Sequence, residues 1–399
     1  MHTFFSFFEL LEYTFFCYFC FASFYVLFFS ISGFFYKDIV LDKSNSNSIV
    51  ILIPAYKEDD VIEETVRSAL QQEYPEFLFD IVVISDSLHS KTLSRLTSLP
   101  ITVFKVSFSN PTKVKALNYA LNELEVSYDI ALILDADNIM EKKFLRDIST
   151  AFTSGYSIIQ AHRKAKNHNT AMAVLDGISE EINNHIFRKG HNAIGLSCGL
   201  VGSGMAFNFS YLKTMLREVT AVGGFDKELE FKIIAKRHFI VYLDKTYIYD
   251  EKIATLQDFK RQRTRWLATK GVYLLKNITN GYNHLRKGNF AYLNKLIQMA
   301  LPTRILLLGV SFIAAVCYGV SYFVLDVSSS RELCYYWMAL FVISSLCCLI
   351  AIPRRYFHWN TIKSLKIIPK VFFSMVVLLF KLRGSNKTFI HTKHKSIKP

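Results

Sequence analysis

The chain has 399 residues, of which 51% are hydrophobic and 35 are Phe, and its 47 basic against 33 acidic residues give a formal charge of +14. This apolar and aromatic content excludes a disordered polypeptide and exceeds that of an ordinary soluble domain, so part of the chain is expected in lipid. Seven cysteines, five of them inside apolar runs, argue against a disulfide framework.

Residues 1–36 contain thirteen Phe and no Lys or Arg, and Tyr13 to Tyr36 is free of charge. The run is long enough to cross a hydrocarbon layer of ~30 Å. It lacks the basic start and small-residue cleavage site of a signal peptide, so it predicts an uncleaved transmembrane anchor. From 37 to 282 short apolar runs alternate with amphipathic stretches: Ile49 to Pro54, a helix from Asp60, Phe79 to Ile84, Ile101 to Val106, a helix from Lys113, and Ile130 to Leu134. That βαβα rhythm predicts an α/β domain whose parallel sheet binds ligands beyond the carboxyl ends of its strands.

Residues 283–302 mix Arg286, Lys287 and Lys295 with large apolar side chains, which suits an amphipathic helix lying along a membrane surface. Within 303–352, Ile305–Leu325 and Cys334–Ile352 are both charge-free and predict a transmembrane hairpin. Residues 353–399 carry eleven Lys or Arg and no acid, and their apolar run Val371–Phe380 is short, as in an interfacial or re-entrant helix. The positive charges place this tail in the cytoplasm, which puts the α/β domain in the cytoplasm and the N-terminus outside. A basic tail beside membrane segments points to anionic lipid headgroups, not to nucleic acid.

Acidic residues follow three of the predicted strands. The first strand runs into Pro54-Ala55-Tyr56-Lys57-Glu58, the second into Ser85-Asp86-Ser87 and the fourth into Asp135-Ala136-Asp137. Carboxylates at strand ends offer hard oxygen donors to Mg²⁺ or Mn²⁺ and so to a diphosphate. An isolated Asp-x-Asp is also a common turn or helix cap, and Asn138 is an equally good cap here.

Taken in order, Ile-Pro-Ala-Tyr-Lys-Glu, Asp86, Lys113-Val-Lys-Ala-Leu-Asn118, Asp135-Ala-Asp137, Gly202-Ser-Gly-Met and Gln262-Arg-Thr-Arg265-Trp266 resemble the membrane-bound family 2 glycosyltransferases, which include the cellulose, hyaluronan, chitin and poly-N-acetylglucosamine synthases. The resemblance covers about residues 48–270 and the membrane layout. It implies a cytoplasmic GT-A (Rossmann-like) domain with flanking transmembrane helices, and an inverting transfer of a hexosyl or N-acetylhexosaminyl group from a UDP-sugar in polysaccharide biosynthesis.

By the same resemblance, Tyr56, Glu58, Asp86, Lys113 and Asp135 line the nucleotide-sugar pocket, with Asp86 at the uridine and Lys113 near the diphosphate. Asp137 is the ligand of a divalent cation, Mg or Mn, with Asp135 facing the metal's waters or the sugar. Gln262, Arg265 and Trp266 meet the diphosphate and the acceptor, and Gly202, Ser203 and Gly204 let the acceptor approach the backbone. Within Asp226-Lys227-Glu228-Leu229-Glu230-Phe231, aligning Leu-Glu-Phe with the family pattern makes Glu228 the general base, with Asp226 in reserve. Lys57 stands where the family commonly has Asn, and Thr112 where it often has Gly. Phe389–His394 resembles a Thr-containing basic element near the pocket of some synthases.

The implied partners are a nucleotide-sugar donor, a glycan or lipid-linked acceptor, membrane lipids and an export or channel partner. Three crossings are fewer than the large processive synthases use, so processive and single transfer both stay open. The alternative is a non-catalytic membrane protein that keeps only the nucleotide pocket.

Overall fold

The structure, a computed structural model, describes residues 2–41, 46–328 and 330–381; the Phe389–His394 element lies outside them. The chain begins with a helix α1 (His2–Ser32) and then builds its sheet domain: β1 (Ile49–Tyr56), α2 (Ile62–Ala69), β2 (Phe79–Asp86), α3 (Ser90–Thr97), β3 (Thr102–Val106), α4 (Lys113–Glu123), β4 (Ile130–Ile133), β5 (Ile139–Met140), α5 (Phe144–Thr153) and β6 (Ile158–Ala165). There follow α6 (Ala171–Asn184), α7 (Gly190–Ala193), β7 (Met205–Asn208), α8 (Phe209–Arg217), α9 (Phe225–Ala235) and β8 (Val241–Asp250). Six further α-helices follow, α10 (Leu256–Arg286), α11 (Phe290–Ala300), α12 (Arg304–Phe323), α13 (Ser330–Ile350), α14 (Trp359–Ser364) and α15 (Ile368–Phe380), with 3-10 turns at Arg354–Tyr356 and Leu365–Ile367.

The strands form one eight-stranded sheet in the order β3-β2-β1-β4-β7-β6-β8-β5. The first four are parallel, as the sequence rhythm predicts. The other half is mixed: β7 runs antiparallel to both β4 and β6, β8 is parallel to β6, and β5 is antiparallel to β8. The continuous Val/Ile/Leu runs of β1, β2 and β4 reflect burial on both faces. Val50 and Leu52 point toward Leu117 of α4, Leu212 of α8 and Leu229 of α9. Alternate residues Ile49, Ile51 and Ile53 meet Ile62 and Val66 of α2 and Ile148 of α5 on the other side.

Three helices, Glu9–Phe35, Arg304–Phe323 and Ser330–Ile350, are long and apolar enough to cross a membrane. The first and the last of them pack through Trp337 against Phe16 and Phe19, and through two polar contacts: Ser23 Oγ to Ser344 Oγ at 2.9 Å, and Ser30 Oγ donating to the Cys347 carbonyl at 3.0 Å. Small hydroxyls suit such interfaces because they let helices approach and pair within hydrocarbon. Helix α1 also touches the sheet domain. Gly190 sits where a Cβ would come within 2.2 Å of the Phe29 carbonyl oxygen, and the His185 ring bonds the Ser30 carbonyl at 2.8 Å.

The stretch 283–302, expected as one surface helix, is broken at Gly288, whose φ is +70°. Its second half, α11, buries Tyr292, Leu296 and Met299 in the sheet domain's core. The short apolar run near the end becomes α15, which packs Phe372 and Met375 against Leu306 of α12 and Phe259 of α10.

Candidate active site

A cleft of about 1320 Å³ opens at the carboxyl ends of β1, β2 and β4. The parallel register sets Tyr56 opposite Asp86, and Lys57 N–H donates to the Asp86 carbonyl at 3.1 Å, which ties the first two loops together. Tyr56, Glu58 and Asp86 all line the cleft. Asp86 is buried; one carboxylate oxygen accepts from Ser87 Oγ at 2.9 Å and the other has no hydrogen-bond partner. A buried carboxylate oxygen left in that state is costly unless a donor reaches it from the cleft.

Lys113 opens α4, which Thr112 caps by accepting from Lys115 N at 3.2 Å. Its ammonium pairs with Asp135 and donates to the Gly202 carbonyl at 2.7 Å, above the ring of Phe225. The Asp135–Asn138 turn is held from beneath by Ser203, whose Oγ accepts from Asp135 N at 2.9 Å and donates to Asn138 Oδ1 at 2.5 Å. Asn138 Nδ2 in turn donates to Asp137 Oδ1 at 3.0 Å. Asp135 and Asp137 thereby stand side by side on the cleft wall.

Gly202, Ser203 and Gly204 therefore divide. Gly202 lines the cleft, whereas Ser203 is fully buried under the Asp135 turn. Gly204 has φ +61° and a Cβ there would lie 2.6 Å from Ile248 Cδ1, so its requirement for glycine comes from strand packing and not from an approaching sugar.

The two acids of α9 also part company. Asp226 lines the cleft, held at 3.1 Å by Lys227 Nζ. Burial works against the Lys227 charge, but Asp226 and Glu230 outweigh it and hold the ammonium above its ordinary value. Glu228, expected to be the base, points instead into the packing between α9 and α10. It accepts from Tyr273 OH at 3.1 Å, Lys276 Nζ at 3.2 Å and Thr220 N at 3.4 Å, and is 5% exposed. The cause is helical geometry: positions two apart are separated by about 200° around the axis, so both cannot face the same cleft.

From α10, Gln262, Arg265 and Trp266 complete the wall. Gln262 Oε1 is a buried acceptor with no hydrogen bond. Burial lowers the proton affinity of the Arg265 guanidinium, and the charges of Asp135 and Asp226 work against that shift. Trp266 is covered on one face by Arg263, at 4.2 Å, and Arg263 is itself paired with Asp176 at 2.5 Å.

Among the described residues no three His, Cys, Asp or Glu side chains gather to hold a metal by themselves. Two carboxylates, one already engaged by Lys113, fit a hard divalent cation that takes its remaining ligands from a diphosphate and water.

A family model, "Glycosyltransferase like family 2", matches residues 46–269, more than half of the chain. The chain belongs to that family. This glycosyltransferase has the GT-A fold and transfers a sugar from a nucleotide-sugar donor. A mannosyltransferase from Pyrobaculum calidifontis, PcManGT, solved with GDP-Man and Mn²⁺, superposes with a TM-score of 0.50 at 15% identity, over 82% of this chain and 94% of its own. S. aureus TarS 1-349 is similar at a TM-score of 0.40 and 16% identity, over 85% of this chain and 90% of its own. No curated protein matches the chain in a sequence comparison.

Sequence reasoning missed the buried ionic floor of the glycosyltransferase cleft. Arg163 on β6 meets Glu180 at 2.7 Å, Arg188 meets the same carboxylate at 3.1 Å, and Lys252 pairs with Asp250 at 2.6 Å. Burial works against the Glu180 charge, but the three cations hold its carboxyl well below the usual carboxylate range. The available signal was charge inside otherwise apolar elements, as in Ile-Ile-Gln-Ala-His-Arg on β6.

Proposed function

We propose that the chain is a membrane-anchored inverting glycosyltransferase that moves a sugar from a UDP-sugar to an acceptor hydroxyl in cell-surface polysaccharide biosynthesis. What carries this reading is a single continuous cleft in which Asp86, Lys113, Asp135, Asp137, Asp226 and Arg265 all take part. Asp86 suits a uracil because only one of its oxygens is open to a donor, and the uracil imide offers one N–H. Lys113 and Arg265 hold the diphosphate by charge and hydrogen bonding. A divalent cation at Asp137 and Asp135 supplies neutralisation of the leaving diphosphate's charge.

Asp226, not Glu228, is the base in this proposal. It stands in the cleft, and its carboxylate takes the proton from the acceptor hydroxyl as that oxygen attacks the anomeric carbon. Trp266 offers a partly exposed face for a sugar ring, and Gly202 a wall without a side chain. The three apolar helices anchor the enzyme in the inner membrane, and the basic tail after α13 puts the cleft on the cytoplasmic side.

Membranes containing the protein, incubated with Mg²⁺ or Mn²⁺ and a panel of labelled UDP- and GDP-sugars, test this directly. Transfer from one UDP-sugar, abolished by chelation, is the expected result. Transfer from a GDP-sugar alone overturns the donor assignment, and failure of every donor overturns the reaction.

A further inference from the structure

The cleft does not end at the sugar site. Past Arg265 and Trp266 it continues between α12, α13 and α15, where Leu308, Ile313, Phe341, Leu349, Phe372 and Met375 line it. Such walls leave sugar hydroxyls without partners, at a desolvation cost, whereas a hydrocarbon chain loses nothing there.

At the neck between the two parts stand two cations of a distinct kind. Lys270 Nζ donates to the Leu301 carbonyl at 2.5 Å. Three residues on, in the same Leu301–Arg304 turn, Arg304 donates to Asn183 Oδ1, to the Ser179 carbonyl at 2.8 Å and to Ser179 Oγ at 2.9 Å. Both side chains line the cleft, and neither forms an ion pair among the described residues. The neighbouring cations differ: Lys113 has Asp135, Lys227 has Asp226, Arg263 has Asp176 and Lys295 has Glu230. Burial, with the charge of Lys295 adding to it, pushes the Lys270 ammonium down to about 8. Half-buried cations with only neutral partners make a site for an anion, because a bound negative charge relieves the cost of burying them.

We propose that the acceptor is a phosphate-bearing lipid, its phosphate held between Lys270 and Arg304, its chain lying in the groove between α12, α13 and α15, and its headgroup hydroxyl presented to Asp226. This rests on the glycosyltransferase reading and narrows its acceptor from glycan or lipid to lipid. The acceptor oxygen forms a bond to the anomeric carbon, the bond from that carbon to the donor's β-phosphate oxygen breaks, UDP leaves with the electron pair, and the hydroxyl proton passes to the Asp226 carboxylate.

The test uses full-length protein in phosphatidylcholine nanodiscs with radiolabelled hexadecyl phosphate as the probe, and hexadecanol and inorganic phosphate as competitors. Saturable binding is expected, weakened about tenfold or more by Lys270→Ala and by Arg304→Gln, because each removes a charge-assisted contact to the phosphate. Ile313→Trp, at a groove position 42% exposed, blocks the chain without removing a charge and guards against a folding artefact. UDP binding, measured on the same samples, stays unchanged in all three. Equal probe binding in wild type and variants, or displacement by inorganic phosphate as effective as by the probe, overturns the lipid seat. Label from the donor appearing in an insoluble polymer, and not in the solvent-extracted lipid, overturns it too. Loss of UDP binding in the wild type would instead overturn the underlying glycosyltransferase reading, so the two failures are distinguishable.

Discussion

Exchanging Asp226 and Glu228 one at a time separates the base from its neighbour. Asp226→Asn keeps size and removes the proton acceptor; a positioned general base contributes about 10²–10⁴ in rate, or about 3–5 kcal/mol of barrier. Its ion pair with Lys227 is largely buried, but Asn keeps an acceptor oxygen and Glu230, 3.4 Å from the same ammonium, keeps a counter-charge, so the fold is retained. Glu228→Gln should do the reverse. The carboxylate is 5% exposed and accepts from Tyr273, Lys276 and Thr220. Lys276 is about half exposed and counts for little. The bond to Tyr273 and the strain of placing an amide N–H₂ opposite these donors leave a cost of about 1–3 kcal/mol in folding. Labelled-sugar transfer under saturating donor, paired with thermal melting in the same detergent, reads both quantities. Asp226→Asn should lose turnover far beyond any drop in melting temperature, and Glu228→Gln should melt earlier yet turn over. Full activity in Asp226→Asn with a dead but normally stable Glu228→Gln would refute the assignment and the helical argument behind it.

Other consequences are open to measurement. Asp137→Asn should abolish the metal-dependent part of UDP binding, seen as a titration that no longer responds to Mn²⁺. Ser203→Ala leaves Asp135 N–H and Asn138 Oδ1 without their partner, at about 2–4 kcal/mol, and should weaken metal-dependent UDP binding as the turn loosens. Gly204→Ala should cost about 1–3 kcal/mol through its positive φ and the contact with Ile248 Cδ1, and adding Ile248→Val, which removes that atom, should restore part of the melting temperature. His162 supplies a pH dependence: burial opposes its charge, but Asp244 at 3.1 Å and Glu181 at 3.2 Å outweigh it and raise its proton affinity. A raised folded value contributes stability that is complete below the unfolded pKa of about 6.5 and lost as pH rises through the folded one. The wild type should therefore melt progressively lower from mildly acidic to alkaline pH, and His162→Gln should flatten that slope.

The parallel half of the sheet was legible because β1, β2 and β4 are continuous buried runs with helices between them. The antiparallel half was not: β7 is four residues long and β5 two, and their places depend on pairing partners far along the chain. The order of Asp86, Lys113 and Asp135 was legible for the same reason as the parallel strands, since each ends or follows a strand or opens a helix, whereas Arg265 lies inside α10 and was legible only through its motif. Which acid of α9 faces the cleft was not. Linear spacing aligns Glu228 with the family pattern, but only the packing of Leu229 and Phe231 into the core decides how the helix is rotated. The Ser203 clamp was hidden as well, because a Gly-Ser-Gly segment looks the same whether it lies beneath a site or faces it.

The contact between Gly190 and the Phe29 carbonyl leaves no room even for a methyl group. In the membrane-anchored reading proposed above, α1 is consequently more than a tether: it acts as a depth gauge, setting how high the reaction centre rides above the bilayer. A soluble fragment made by trimming the first 36 residues would lose that alignment and expose the surface around Ile186 that Phe29 covers, so reconstitution of the intact chain is the practical starting point for enzymology.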